Sequence, residues 1–121
     1  MGTSRSSERR AKHTGGASIF SGRPDPSWTV DEKTVKRLKA LWNLMEPHGG
    51  APPQAPALGY RGCFLIDSSR NKWFAYKGVA TLTTTLSRSE SRQDEDRRFE
   101  ALLLASAPKG AIPREMIDFK R

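Results

Sequence analysis

The chain is short of the residues that usually carry chemistry. Among 121 residues there is one cysteine, Cys63, and there are two histidines, His13 and His48. A single cysteine closes no internal disulfide and is not a zinc site by itself, so the expected setting is reducing and cytoplasmic. Long apolar runs are also missing. Nothing approaches the roughly 18–20 residues that span a bilayer, and no apolar signal core follows the basic N-terminus, so no membrane partner is expected. The phosphate-cradling patterns GxxxxGK[ST] and GxGxxG do not occur, nor do CxxC or HxxxH. Asp94, Glu95 and Asp96 are consecutive; on a helix they fan outward instead of converging on a metal. These absences argue against an enzyme, against a cofactor and against a metal centre.

What the chain has in excess is positive charge. Twenty-one Lys and Arg against 13 Asp and Glu leave a formal net charge of +8. A field of that sign attracts polyanions at long range without saying anything about fold. Part of it lies in residues 1–17, where Arg5, Arg9, Arg10 and Lys12 oppose Glu8. That segment has no large apolar side chain after Met1, and burial cannot offset its ordering entropy. It reads as a disordered basic arm ahead of a single domain at 18–121.

Ile19 and Phe20 predict a short strand at the start of the domain. Pro24 and Pro26 then stiffen a connector carrying Arg23, Asp25 and Trp28. Thr29 and Glu32 fit a capping box. The helix it opens would run to about Glu46, with Val35, Leu38, Leu41, Trp42 and Met45 on one face. Pro47 stops it, and residues 47–58 read as a Pro/Gly-rich loop. Two strands, about 59–67 and 72–84, predict a hairpin across Ser68–Asn71. Pairing Asp67 with Lys72 would put Tyr60, Phe64 and Trp73 on one face, with apolar residues on the other face as well. Residues 86–93 read as a polar loop. A second helix is expected from Asp94 to about Ala107 around Phe99, Leu102 and Leu103, and a short third from Pro113. The expected class is α+β: a small, mainly antiparallel sheet (a short N-terminal strand plus a hairpin) packed with two amphipathic helices and a short C-terminal one.

Two functions fit this reading. In the first, a non-catalytic protein contacts nucleic acid or another polyanion. Arg5, Arg9, Arg10 and Lys12 of the arm would act with Arg61, Arg70, Lys72, Trp73 and Lys77 of the hairpin, bases stacking on sheet aromatics while cations follow phosphates. In the second, a protein-interaction module, a homodimer or accessory subunit, uses Arg23, Asp25 and Trp28 with the apolar sheet face of Tyr60, Phe64 and Trp73. Cys63, mid-strand, reads as a small buried hydrophobe. The aromatics serve either the core or a ligand, and sequence alone leaves that choice open.

Overall fold

The computed structural model describes residues 12–19, 24–51, 53–54 and 59–112. Within them the class is α+β: a six-stranded antiparallel open sheet and two helices. The strands are β1 (His13–Ala17), β2 (Ser27–Val30), β3 (Cys63–Ile66), β4 (Lys72–Tyr76), β5 (Val79–Thr83) and β6 (Ser89–Gln93). They lie in the order β2-β1-β3-β4-β5-β6. Helix α1 spans Glu32–Leu44. A turn at Glu95–Arg97, with positive φ at Asp96 and Arg97, leads into α2, Arg98–Ala105.

The N-terminal boundary differs from expectation. His13–Ala17 is a strand next to the sheet edge, paired with both β2 and β3, where the composition suggests an arm continuing to residue 17. His-Thr-Gly-Gly-Ala has no bulky apolar group of its own, and its burial comes from neighbouring rings. On one face a Cβ at Gly15 would come within 2.8 Å of Trp28 Nε1 and 2.9 Å of Val30 Cγ2. On the other, a Cβ at Gly16 would come within 2.2 Å of Phe64 Cζ. Two adjacent glycines thus let aromatic rings lie against the backbone from opposite sides, one known use of Gly inside a strand. The arm residues Arg5, Arg9 and Arg10 lie outside the described residues, as do Phe20, Arg23 and the third helix expected from Pro113.

Helix α1 begins two residues later than the Thr29 capping box implies. Thr29 is in β2, and Asp31 is the cap, its Oδ1 accepting the Thr34 N–H at 2.8 Å. Val35, Leu38 and Trp42 are buried, with Leu41 and Met45 packed beside them. Both helices cover one sheet face. There α1 and α2 meet Trp28, Val30, Cys63, Leu65, Trp73, Ala75 and Ala80, and Phe99, Leu103 and Leu104 complete the core.

The β3–β4 register is shifted by one residue. Leu65 pairs with Trp73 and Phe64 with Phe74, so Phe64 and Trp73 lie on opposite faces. The cause is Asp67. Its Oδ1 accepts the N–H groups of Ser69 and Asn71, both at 2.9 Å, and its own N–H bonds Asn71 O at 3.0 Å. Asp67 therefore belongs to a five-residue loop, with Ile66 and Lys72 the last pair.

The expected long strand at 72–84 is two strands folded back at Lys77–Gly78, both of which have positive φ (48° and 88°). That is the signature of a type I′ hairpin turn, whose twist matches the strands it joins. Ser89–Gln93, expected as loop, is β6. Thr81–Ser91 and Thr83–Ser89 hydroxyl pairs (2.8 and 3.1 Å) join it to β5. On its far side Gln93 N–H donates to Glu46 O, and His48 N–H to Ser91 O.

Candidate nucleic-acid interface

Paired residues in an antiparallel ladder share a face, so the register fixes what the side opposite the two helices presents. One row runs Thr29, Thr14, Ile66, Lys72, Thr83, Ser89. The next runs Ser27, Gly16, Phe64, Phe74, Thr81, Ser91. No carboxylate occurs in either row, and Lys72 is their one charged residue. Phe64, Ile66 and Phe74 are half-buried, while Thr14, Ser27, Thr29, Lys72 and Ser89 are exposed.

The two phenylalanines are held in place from beneath. Phe64 lies across Gly16, and Phe74 lies across Gly62, where a Cβ would come within 2.4 Å of Phe74 Cζ. Lys72 Nζ sits 5.2 Å from the centroid of the Phe64 ring, close enough for a cation–π attraction. The sheet thus presents a cross-strand aromatic pair with a cation above it and hydroxyls on either side.

Of the residues named from sequence, some converge here and others do not. Lys12 directly precedes β1, Arg70 lies in the β3–β4 loop and Lys72 opens β4, so all three sit at one end of the sheet. Arg88, not singled out from sequence, lies in the β5–β6 loop at the same end and is exposed. Arg61 and Lys77 lie at the opposite end, about 16 Å away at the rise of a five-residue strand. Trp73, proposed as a stacking residue, is 4% exposed and belongs to the core. The one-residue register shift puts it there and puts Phe74 beside Phe64.

The residues of the alternative interface are largely engaged inside the protein. Trp28 is buried in β2 and its indole N–H donates to Ser106 Oγ at 2.9 Å. Asp25 accepts the Ile19 N–H at 2.9 Å. Tyr60 packs against Tyr76, ring centroids 5.8 Å apart, and donates its hydroxyl proton to Glu100.

Beneath the sheet lies a buried polar cluster. Glu100 is fully buried and takes two bonds from the Arg97 guanidinium, at 2.8 and 3.0 Å, besides that of Tyr60. Asp94 caps α2, accepting the N–H groups of Phe99 and Glu100 at 2.8 and 3.0 Å. Burial pushes the Asp94 carboxyl upward against those bonds. Burial, reinforced by Glu100, likewise raises the Cys63 thiol, and burial beside Cys63 and Glu100 raises the Tyr60 hydroxyl. Each polar group here has its partner inside the protein, and a raised thiol is a poor nucleophile. The cluster is a structural brace.

The histidines are committed too. Ser68 N–H donates to His13 Nδ1 at 3.1 Å, so Nε2 carries the proton it shares with Glu32 Oε1 at 2.7 Å. His48 Nε2 faces Ala51 O at 3.2 Å. Among the described residues no group of three or more His, Cys, Asp or Glu is placed to hold a metal, and no helix is long and apolar enough to cross a membrane.

A cleft of about 610 Å³ opens at the other end of the molecule, between the C-terminal turn of α1, the Lys77–Gly78 turn and the start of α2. Leu41, Leu44 and Met45 form its apolar wall, and Lys77 and Arg98 are outnumbered there by Glu46, Asp94 and Glu95. That balance gives it no preference for a polyanion. Comparison with protein-family models, curated proteins and solved structures finds no match, so the functional reading rests on this chain's own residues.

Proposed function

We propose that the protein is a non-catalytic binder of nucleic acid or a related polyanion, and that the sheet face opposite the two helices is its contact surface. The observation that carries this reading is the charge pattern of that face. Two complete rows across the sheet hold no carboxylate, Lys72 stands at their centre, and Lys12, Arg70 and Arg88 gather at the adjoining end. Of the acids at that end, Asp67 is ion-paired with Lys39 at 3.1 Å, Glu32 accepts the His13 Nε2–H at 2.7 Å and Asp31 accepts the Thr34 N–H at 2.8 Å. The chain's net charge of +8 adds long-range attraction of the same sign. Arg5, Arg9 and Arg10 supply further cations close in sequence to Lys12.

Binding of this kind releases counterions, so affinity falls with salt by about 0.7–0.9 log units per contacted phosphate for each decade. The test is fluorescence anisotropy with labelled oligonucleotides at about 50 and 200 mM salt, comparing the full chain with its Lys12→Glu/Arg70→Glu/Lys72→Glu/Arg88→Glu variant. The expected result is a salt slope shallower by about 3 in the variant, with unchanged circular dichroism. Equal affinities and slopes for the two proteins would overturn the proposal.

A further inference from the structure

The face is more specific than a basic patch, and its geometry bears on the form of nucleic acid it accepts. Phe64 and Phe74 are directly paired across β3 and β4, at the roughly 4.8 Å spacing of neighbouring strands. Gly16 and Gly62 leave room for the tips of the two rings, Phe64 Cζ over Gly16 and Phe74 Cζ over Gly62. One row away, about 7 Å along the strands, Lys72, Thr83 and Ser89 form a parallel line of one cation and two hydroxyls. The Thr81–Ser91 hydroxyl pair continues the aromatic row toward β6.

Resting on the polyanion reading above, we infer that this face takes a single strand and rejects a duplex. Two adjacent bases stack on Phe64 and Phe74, and the sugar–phosphate chain crosses the β-strands along the Lys72–Thr83–Ser89 row. A duplex keeps its bases stacked on one another and offers only its backbone to a sheet, so it gains nothing from the rings. An unpaired strand can turn its bases down onto them, which contributes about 1–3 kcal/mol per base in proteins that bind this way. Phenylalanine has no hydrogen-bonding edge, so the rings tolerate any base. The hydroxyls beside them donate and accept, and can therefore meet either base edges or a ribose 2′-hydroxyl.

The test uses full-length protein and three probes: a 12-nucleotide single strand, the duplex of the same sequence, and inorganic polyphosphate, which carries charge without bases. Phe64→Leu and Phe74→Leu keep apolar bulk over the glycines while removing the stacking surface. Each is expected to weaken single-strand binding by about 5- to 150-fold with the salt slope unchanged, and to leave polyphosphate binding as it was. Phe64→Tyr and Phe74→Tyr should restore affinity, which separates stacking from damage to the fold. Lys72→Gln should weaken the single strand and polyphosphate and reduce both slopes by about one.

Duplex bound as tightly as single strand, or leucine variants that bind like the parent, would overturn the inference. If polyphosphate binding persists in that case and still responds to Lys72→Gln, the polyanion reading stands without it. Failure of all three probes to bind at low salt removes both.

Discussion

The two central glycines of β1 allow a test in which the sign of an effect, and not only its size, is at stake. Neither Gly15 nor Gly16 has a left-handed backbone, so alanine is conformationally acceptable at both. Reduced freedom of the unfolded chain should then stabilise Gly16→Ala by about 0.4–1 kcal/mol. Opposing this, the new methyl would sit 2.2 Å from Phe64 Cζ and 2.6 Å from Cε2, where ordinary contact begins at 3.4 Å. The ring must swing away by more than 1 Å, and forced displacement of that kind costs about 1–3 kcal/mol. The net expectation is a loss of up to about 2.6 kcal/mol. In a Phe64→Ala background the obstruction is gone and only the entropic gain remains, so the same substitution should become stabilising. Urea unfolding followed by far-ultraviolet circular dichroism would resolve the cycle, since slopes of about 1–3 kcal/mol per molar are usual for small domains. If Gly16→Ala has the same sign and size in both backgrounds, Phe64 does not lie over β1 and the aromatic platform is not fixed from beneath.

Two further outcomes follow from the polar accounting. The Trp28 indole N–H is satisfied by Ser106, whereas the Trp73 N–H is buried with no partner among the described residues. Trp28→Phe should therefore cost about 1 kcal/mol more than Trp73→Phe in the same unfolding assay, because only the first leaves a bonded partner behind; equal costs would contradict this. Asp67 contributes to the acid limb. Burial opposes its ionisation, but the Asn71 N–H, Lys39 and the Ser69 N–H outweigh it and hold the carboxyl below its ordinary 3.8. A depressed folded value means the unfolded chain binds the proton more readily, so this stabilisation is present above the unfolded value and is lost as pH falls through the folded one. Asp67→Asn should be less stable than the parent by about 1 kcal/mol at pH 7 and show a flatter loss between about pH 5 and 2. Parallel curves for the two proteins would refute it.

The sequence shows the α+β class, the buried stripe of α1 and the apolar strands around Cys63 and Trp73, because in each the side chains that are buried belong to the element itself. It hides elements whose burial or pairing is supplied from elsewhere. β1 looks like linker because Trp28, Val30 and Phe64 cover it. β6 looks like loop because Ser-Glu-Ser-Arg-Gln contributes hydroxyls and backbone bonds, not apolar area. The positive-φ turn at Lys77–Gly78 was readable in principle, since glycine at the second turn position favours it, but the apolar run on either side conceals it. The candidate site was half legible. Lys72, Arg70 and Phe64 are where a basic and aromatic hairpin requires them. Trp73 and Phe74 exchange faces because one aspartate organises the loop and shifts the register, which no alternation of apolar and polar residues reveals.

The short return of chain at Glu46–His48 also limits how the sheet can grow. It occupies outward backbone groups of Ser91 and Gln93, and the rest of β6 is short and carries the Glu90–Arg92 ion pair. A strand from another molecule would find poor purchase there, which is how natural sheets avoid templating aggregates. Among the described residues β2 is the other edge of the sheet. Two copies meeting through that edge about a two-fold axis would close into a twelve-stranded pair with no further end to extend, whereas a fibre needs two competent edges.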